Sequence, residues 1–566
     1  HNRSMVKKIF SLLNKEFAVN EAALILGAFA FLSQILGLFR DRALAHYLGP
    51  STNLDVYYAA FRIPDFLYIS IASLASVTIL LPFLLERMDD PNDPTYIRAR
   101  KFFSDVFTSF LVVIAFASVL IAIFMPRIAP IIAPGFGPES LDKLIEVSRI
   151  MLLSPILLGA SNILGSVTQM FNKFFVYSLS PVFYNLGILL GIFFLYPTFG
   201  VNGLALGVVL GGLLHLGIQL PVLLSHTFFP KFSIHINWSD IRSVVTLSLP
   251  RTLGLSLNNI SILVLVAMIS KLGDGAISMF TFSYNLQSVP IGIIGISYSV
   301  ASFPTLVRFF TTNEQTLFVD HILEASKKII FWSLPIVFLF IVLRAQIVRV
   351  ILGTGSFSWT DTRITAAALA LFSISLVAQS LVHLFVRGYY AAGNTKKPLL
   401  INIFSALFTI IIAHVLINIF NSHVAFRYFV ENLMRVEGLD KTQVLMLPLA
   451  YSLGTILNFT LLWHLFRKDF CKKATIKISR VFLQSFAGAF FMGFVAYKCL
   501  DIFDTIFSME TFWGILLQGL VSGVIGIAAG VLVLYLLKSQ ELRALTNSVS
   551  AKFWKAPIIA PEQSDL

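Results

Sequence analysis

The sequence predicts an all-α polytopic membrane protein with fourteen transmembrane helices, and three observations support this fold class. The mean hydropathy is +0.83, and 57% of the 566 residues are hydrophobic while only 13% are charged. A soluble domain carries about 25% charged residues. Fourteen stretches are apolar enough to span a membrane, and basic residues concentrate in every second loop between them.

The apolar stretches follow one another along almost the whole chain. Each is close to the roughly 20 residues that a helix needs to cross the hydrocarbon core. Their expected bounds are 23–48, 56–85, 103–133, 145–172, 178–196, 202–224, 244–271, 276–308, 328–352, 363–386, 397–420, 446–466, 481–500 and 513–537. Residues 1–5 are interpreted as a cloning remnant, and 6–20 are predicted to form a short interfacial helix with cytosolic lysines.

The distribution of charge predicts that both termini lie inside the cell. Basic residues of a membrane protein collect in its cytoplasmic loops. The even-numbered loops are the charged ones: 86–101, 308–328, 387–397 with Arg387, Lys396 and Lys397 as anchors, and 466–480. The odd loops "GPSTNL" and "YPTFGVNG" contain no Lys or Arg, and 421–445 is expected to hold an external amphipathic helix. The net charge of +13 therefore indicates orientation and not nucleic-acid binding.

Two parts of the sequence echo each other, which predicts a duplicated helical bundle. Segments 169–191 and 384–406 both run from an aromatic pair through a polar turn to Pro and then Asn. A parallel repeat arranges two halves around an axis along the membrane normal, with the binding site at their interface. We therefore expect two six-helix lobes related by a pseudo-twofold axis around a central cavity, plus two extra C-terminal helices. The expected lobes are 21–225 and 240–467.

Polar side chains inside the spans predict where that cavity lies. A charge at the bilayer centre costs about 2.5–3.5 kcal/mol, so Arg40 and Asp41 must face protein or a wet cavity. They share one face of the first helix with Ser33 and Gln34, and similar stripes mark the seventh and eighth spans. The candidate cavity residues are Ser33, Gln34, Arg40, Asp41, Arg251, Asn258, Asn259, Tyr284, Asn285 and Ser288.

A second charged stripe lies toward the outer end of the second span and predicts a gate. It contains Asp55, Arg62 and Asp65, whose spacing lets the stripe neutralise itself. Structural interpretations stay open beside the functional ones. Arg40 and Asp41 could lock two helices together, Arg251 could snorkel to the interface, and the serines could mark close helix packing.

The sequence contains none of the short motifs that mark common enzymes. It lacks a phosphate-binding Gly-rich loop with Lys, a zinc-binding His pair and a nucleophile elbow. We therefore predict neither enzymatic activity nor a metal or other cofactor, and expect secondary or passive transport. A monovalent ion and the membrane potential are the candidate driving forces. Cys471 and Cys499 flank a predicted span, so no disulfide is expected between them.

The stretch "SQILGLFRDRALAHYLGPSTNLDVYYAAFRIPDFL" resembles the first two helices of the lipid II flippases (MurJ/MviN). This family belongs to the multidrug/oligosaccharidyl-lipid/polysaccharide exporter superfamily. "SVPIGIIGISYSVASFPTL" and "FVRGYYAAGNTKKPLLINI" are similar to its eighth helix and its tenth-to-eleventh connection. The resemblance implies a two-lobed fold in which the last two helices, over 480–540, form a lipid groove. The remaining residues, 541–566, are expected to be a cytoplasmic tail.

The resemblance also implies an activity: alternating-access transport of an undecaprenyl-diphosphate-linked peptidoglycan precursor to the outer leaflet of the bacterial inner membrane. It assigns charged positions of the family to Arg40, Asp41, Asp55 and Arg62. Other family arginines, thought to hold the diphosphate, are replaced. Gln34 and Tyr68 stand at two of these positions, and Tyr284–Asn285 stands where the family has Asp-Arg.

These replacements leave several interpretations of function open. The chain could be a lipid II flippase, a flippase for another polyprenol-linked oligosaccharide, or a transport-inactive scaffold for cell-envelope synthesis enzymes. A multidrug antiporter is a fourth, for which Asp41 would have to carry the proton. The expected partners are a polyprenol-linked anionic lipid, the bilayer and cell-envelope synthesis enzymes, but no nucleic acid, and the chain is expected to be a monomer.

Overall fold

The protein is helical, without a strand, throughout the residues that the structure describes, which are 19–88, 96–471 and 478–546 of a computed structural model. We number its main helices in chain order. They are α1 (Val19–Tyr47), α2 (Thr52–Met88), α3 (Ile97–Ile132), α4 (Pro138–Met170), α5 (Phe174–Phe199), α6 (Val201–Ser225), α7 (Trp238–Ile269), α8 (Ala276–Thr311), α9 (Gln315–Val342), α10 (Arg344–Leu352), α11 (Trp359–Ser373), α12 (Leu376–Ala391), α13 (Lys396–Ser422), α14 (Val424–Met434), α15 (Thr442–Phe470), α16 (Ile478–Phe503) and α17 (Phe512–Leu536).

The helices confirm a multi-pass all-α architecture. Within the described residues, 12 helices are long and apolar enough to cross a membrane, and α11 with α12, bent by 45°, raises the number to 13 if the pair is one span. These coincide with the second to fourteenth predicted spans. The first predicted span lies on α1, a helix of 29 residues outside that set, so the count of fourteen stays a prediction.

Some sequence predictions fall outside the described residues. The cloning remnant over 1–5, most of the interfacial helix over 6–20 and most of the tail over 541–566 are among them. The ninth span was predicted to begin at 328, but α9 begins at Gln315. The first turns of α9 carry polar residues on one side. A search for continuous apolar stretches therefore assigns them to a loop.

The helices form two compact units. The first unit is His1–Val289, Ile351–Phe372 and Gly393–Leu461, and the second is Pro290–Val350, Ser373–Ala392 and Leu462–Leu566. These units are divided differently from the predicted lobes, which stay a prediction. All predicted cavity and gate residues belong to the first unit.

The turn between α1 and α2 sets the start of α2. Gly49 ends α1 with φ +58, a left-handed conformation that glycine adopts at no steric cost. Ser51 then caps α2, because its hydroxyl accepts a hydrogen bond from the Leu54 N–H at 3.4 Å. As a result Asp55 lies in the first turn of α2, and it is buried.

Helix α2 is interrupted where it packs against α7. A π-helical turn over Tyr68–Ala72 is followed by a 3₁₀ turn over Ser73–Ala75. The Ser73 hydroxyl pairs with the Thr252 hydroxyl at 2.7 Å, and the hydroxyls of Ser70 and Ser256 lie 3.0 Å apart. Hydroxyl pairs of this kind hold helices together in a bilayer. The polar stripe of α2 is therefore partly a packing surface.

Glycines allow α5 and α6 to approach each other at backbone distance. A Cβ built on Gly207 would lie 2.6 Å from the Gly191 Cα, and one on Gly191 would lie 2.4 Å from the Gly207 Cα. Small residues at helix contacts are typical of membrane bundles. This close pair fixes α5, which carries part of the site described below.

We expect Gly207→Ala to lower the midpoint of thermal unfolding of the purified protein. The added methyl group must push α5 and α6 apart, and overpacking of this kind costs about 1–3 kcal/mol. Gly217→Ala, in the same helix, is the matched control, because nothing lies within 4 Å of a Cβ there. Alanine at that position should leave the midpoint unchanged or raise it. Equal effects at both positions would contradict the close approach.

The second unit contains α16 and α17, which pack tightly together. A Cβ on Gly488 would lie 2.7 Å from the Leu534 Cγ. The Gln346 side-chain amide donates to the Gln518 Oε1 at 3.0 Å, and Gln518 donates to the Leu500 carbonyl at 3.1 Å. A polar chain inside the unit thus ties α10 to the last two helices. The lipid groove expected at 480–540 stays a prediction.

Candidate functional site

Arg40 and Asp41 form an ion pair within α1. The guanidinium folds back onto its neighbour, and Nε and Nη2 donate to Asp41 Oδ1 at 3.1 and 2.9 Å. The Arg40 side chain keeps 23% of its surface exposed, whereas Asp41 keeps 4%. The guanidinium is therefore neither sealed inside the bundle nor left without a counter-charge.

Two other helices of the first unit bring amides to this pair. Asn285 of α8 donates from Nδ2 to Asp41 Oδ2 at 2.9 Å. Asn185 of α5 accepts from Arg40 Nη1 at 3.5 Å and donates to the Ser33 hydroxyl at 3.0 Å. We call Ser33, Arg40, Asp41, Asn185 and Asn285 the polar cluster. It joins α1, α5 and α8 inside a membrane-spanning region.

The polar cluster leaves one edge of the guanidinium available for an anion. Asp41 engages the edge formed by Nε and Nη2, and Asn285 occupies its second oxygen. Among the residues that the structure describes, the other edge, at Nη1, makes only the long 3.5 Å contact to Asn185. A guanidinium carries five N–H donors, and forks of this type fit phosphate oxygens well. An anion can therefore bind at Nη1 without displacing Asp41.

A cavity of about 260 Å³ lies beside the polar cluster in the same unit. Its lining includes Asp65, Tyr68, Ser154, Pro181, Tyr184 and His215. The Pro181 carbonyl accepts from Asn185 Nδ2 at 3.2 Å, which links the cavity wall to the cluster. Arg40 also lies within electrostatic reach of Asp65. Carboxylate, phenol and imidazole groups make this cavity a place for water and polar ligands.

Asp55 joins α2 to the start of α8. Its Oδ2 accepts from the Gly275 N–H at 2.7 Å, and its Oδ1 accepts from the N–H and hydroxyl of Ser278 at 2.7 and 2.5 Å. A carboxylate at a helix N-terminus satisfies the unpaired N–H groups and the helix dipole. The partners described for Asp55 are Gly275 and Ser278 and not Arg62, whose electrostatic partner within the predicted stripe is Asp65.

Other contacts close the same end of the first unit. The Ser356 N–H donates to the His46 carbonyl at 3.0 Å, and the Gly135 N–H donates to the Ser270 hydroxyl at 3.0 Å. Arg42 Nη1 donates to the Ile351 carbonyl at 3.1 Å. We call these contacts, together with those of Asp55, the seam. The seam lies where α1 ends and α2 and α8 begin.

Arg62 and Asp65, the other predicted gate residues, lie about two and about three helical turns beyond Asp55. Arg62 is half-buried, and among the described residues its Nε has no hydrogen-bond partner. Asp65 is exposed toward the cavity and interacts electrostatically with Arg62. Asp65 therefore lines the cavity with Arg62 nearby, and neither residue is among the partners described for the seam.

The remaining predicted cavity residues differ in their surroundings. Tyr284 packs in an aromatic group, with ring centroids 5.8 Å from Phe372 and 5.7 Å from Tyr451. Ser288 is exposed and donates to the Asn285 carbonyl at 2.7 Å. Gln34 and Asn259 are half-buried on α1 and α7. The side chains of Arg251 and Asn258 lie outside the described residues.

The predicted cytoplasmic anchors lie at helix ends. Lys396 and Lys397 begin α13, where the Lys397 N–H is capped by Asn394 Oδ1 at 3.2 Å. Arg387 lies near the end of α12, in the second unit. Positively charged residues at these positions fit the pattern of cytoplasmic helix ends.

Asn185 is the member of the polar cluster that sequence reasoning missed. The predicted polar stripes lie on the first, second, seventh and eighth spans, so an amide on the fifth span was not selected. A signal existed, since the internal echo ends in Pro followed by Asn, and those residues are Pro181 and Asn185. A membrane-buried amide at a repeated position is itself an indication of a helix contact or a binding site.

Known proteins match this chain over most of its length. A profile of the family described as "Lipid II flippase MurJ" matches residues 44–518. The probable lipid II flippase MurJ of Buchnera aphidicola subsp. Schizaphis graminum is 29% identical over 506 residues, which are 86% of this chain and 92% of that protein.

Solved structures share the fold. One described as lipid II flippase MurJ in an inward closed conformation has a TM-score of 0.71 at 24% identity, and the match covers 92% of this chain and 100% of that chain. A MATE family multidrug resistance transporter of the MOP superfamily, in an inward-facing conformation, has a TM-score of 0.63 at 16% identity, over 80% of this chain and 100% of that chain.

Proposed function

Because this chain belongs to the lipid II flippase MurJ family, we propose that it moves lipid II across the bacterial inner membrane by alternating access. It is a multi-pass membrane protein, and flipping of lipid II is its function. Neither a different polyprenol-linked glycan nor a scaffold role is favoured by the relatives. The observation that carries the mechanism is the polar cluster, which presents a guanidinium edge inside the membrane.

The chemistry of the substrate fits that edge. Lipid II is a polyprenol-linked lipid with an anionic diphosphate, and Arg40 offers N–H donors at Nη1 while Asp41 holds the rest of the group. Asp41 and Asn285 orient the guanidinium. The entering phosphate oxygen replaces Asn185 as the acceptor at Nη1. Charge-assisted hydrogen bonds of this kind contribute about 1.5–3 kcal/mol each. The part of the head group next to the diphosphate extends toward the adjacent cavity of about 260 Å³.

The seam serves as the outer gate in this proposal. Charged even-numbered loops support an orientation with both termini inside, and in that orientation the end of α1 faces outward. The hydrogen bonds of Asp55 then keep the outer side closed while the head group enters from the inner leaflet. Opening requires α8 to leave Asp55, so substrate release is coupled to the loss of the cap.

The driving force needs no cofactor. Moving one elementary charge across the whole membrane field is worth about 2.3 kcal/mol per 100 mV. The membrane potential therefore biases a carrier in which the charged groups of Arg40 and Asp65 move through part of this field between its two states. A monovalent ion that binds at Asp65 is the alternative source of coupling.

Complementation tests the proposed function. The chain is expressed in a bacterium whose own lipid II flippase is depleted, and growth and outer-leaflet exposure of labelled precursor are measured. We expect the chain to restore both. Normal levels of the protein in the membrane without outer-leaflet exposure would overturn the proposal and favour a scaffold role.

A further inference from the structure

Helix α14 lies between two membrane spans and carries apolar side chains that the protein does not cover. One candidate span, α13, ends at Ser422 and the next, α15, begins at Thr442, so α14 connects two candidate spans. Its exposed side chains include Val424 (79%), Tyr428 (61%), Phe429 (61%) and Leu433 (57%). Aromatic and apolar side chains on a short surface helix are typical of helices that lie in the bilayer interface.

The segment that follows α14 is held in one conformation. The buried Glu431 accepts from Arg427 Nε at 2.9 Å and from the Thr442 hydroxyl at 2.6 Å, which closes the loop between α14 and α15. Arg435 and Lys441 have positive φ angles of 59 and 65, which non-glycine residues rarely adopt. Such a conformation persists only where surrounding contacts determine it.

This loop reaches the seam at one end and α11 at the other. Lys441 Nζ donates to the Asp274 carbonyl at 2.6 Å. Asp274 directly precedes Gly275, whose N–H is bound by Asp55 at 2.7 Å. At the other end of the loop, Arg363 Nε donates to the Arg435 carbonyl at 3.0 Å. The loop therefore links the surface helix to the turn that Asp55 caps.

We propose that residues 424–441 form a lipid-anchored latch on the seam. In this assignment α14 lies in the outer surface of the bilayer. Lys441 is a positioning residue: it holds the Asp274 carbonyl and so fixes the peptide whose N–H, that of Gly275, donates to Asp55. The latch rests on the proposed function, because it takes the seam as the outer gate.

The lipid surface is the occupant that the structure favours for the exposed face of α14. The helix lies between two spans and cannot move far from the membrane boundary. Its basic residue Arg427 is already paired with Glu431, so the helix offers no free basic patch to an acidic protein. The exposed side chains are apolar or aromatic, which matches the boundary between head groups and acyl chains.

One test measures hydrogen exchange at the seam in protein reconstituted in lipid nanodiscs. Lys441→Met removes the donor and keeps an unbranched side chain that is one atom shorter. We expect amide exchange in the peptide that contains Gly275 and Ser278 to accelerate about tenfold or more, because these amides become free to open locally. Lys441→Arg retains a donor and should restore slow exchange, and Lys498→Met, an exposed lysine of α16, should change nothing.

A second measurement tests the lipid anchor. A spin label is placed at Phe429→Cys after Cys471 and Cys499 are replaced by Ser, and its accessibility to oxygen and to a water-soluble nickel complex is compared. A label that faces lipid is more accessible to oxygen than to the nickel complex. The opposite result would overturn the anchor.

The link to the seam has its own contradicting result. It would be overturned if amide exchange at Gly275 and Ser278 were faster in Asp55→Asn but unchanged in Lys441→Met. Neither readout depends on lipid II, so failure of the proposed function would be seen separately, in the complementation experiment.

Discussion

Replacing Arg40 with glutamine is expected to weaken lipid II binding by about 10- to 150-fold and to abolish rescue of a flippase-depleted bacterium. The range corresponds to one lost charge-assisted hydrogen bond of about 1.5–3 kcal/mol. Glutamine is shorter and uncharged but still polar, and the contact between Asp41 and Asn285 does not involve Arg40, so this part of the polar cluster should still assemble. Arg40→Lys keeps the charge but loses the fork, and we expect an intermediate affinity. Native mass spectrometry of the purified variants, titrated with lipid II, measures the change.

Arg127→Gln is the matched control for this experiment. Arg127 is an exposed arginine near the end of α3 and stacks on the Phe124 ring at 5.7 Å, away from the polar cluster. The Arg127→Gln variant should bind lipid II with the same affinity as the unaltered protein. If Arg40→Gln retained full affinity, the diphosphate would have to bind elsewhere, and the role given to the guanidinium edge would be wrong.

Replacing Asp55 with asparagine is expected to open the seam and to slow lipid II flipping by tenfold or more. The carboxylate accepts three hydrogen bonds with two oxygens. Asparagine offers one acceptor oxygen and turns its NH₂ group toward a backbone N–H, so at least one buried donor loses its partner, which costs about 1–3 kcal/mol. The closed state would lose a corresponding share of its population, and the alternating cycle would stall. Flipping in proteoliposomes and hydrogen exchange at Gly275 and Ser278 report the two effects.

A carboxylate outside the seam provides the comparison for Asp55. Asp142 is exposed on α4, and Asp142→Asn should leave both flipping and exchange unchanged. Slow exchange at the seam in Asp55→Asn would show that other contacts suffice to close it. In that case Asp55 would act through the stability of α8 alone.

The charged part of the site could be predicted from the sequence because charges inside apolar helices have few structural explanations. Arg40, Asp41 and Asn285 were expected to face one cavity, and the structure brings them into direct contact. Asp41 and Asn285 are separated by more than 240 residues in the sequence, however, and no local pattern shows that they are close in space. Asn185 was missed because it lies on the fifth span, outside the polar stripes that the sequence shows on the first, second, seventh and eighth spans.

The role of Asp55 shows a second limit. Spacing along α2 suggested Arg62 as its counter-charge, because residues seven apart share a helix face. The structure pairs Asp55 with backbone N–H groups of α8, which no side-chain pattern can reveal. An Asp that follows a cap residue, together with a distant "GDGAIS" turn, was the only available hint.

Element boundaries were predictable where hydropathy changes sharply and failed where it does not. The bend between α11 and α12 falls in "FSISL", which contains neither Pro nor Gly, so the tenth span was expected to be one helix. A helix expected within 421–445 is present as α14, and its external location stays a prediction. Its contact with the seam through Lys441 depends on tertiary packing and could not be predicted from its amphipathic sequence.

Leaflet exposure of fluorescent lipid II in proteoliposomes tests the central claim most directly. The purified chain is reconstituted with labelled lipid II, and a membrane-impermeant quencher is added after a membrane potential is imposed. We predict time-dependent exposure of inner-leaflet lipid II with the unaltered chain, and none above protein-free vesicles with Arg40→Gln. Equal exposure by both proteins, or by neither, would contradict a flippase that works through the Arg40 guanidinium.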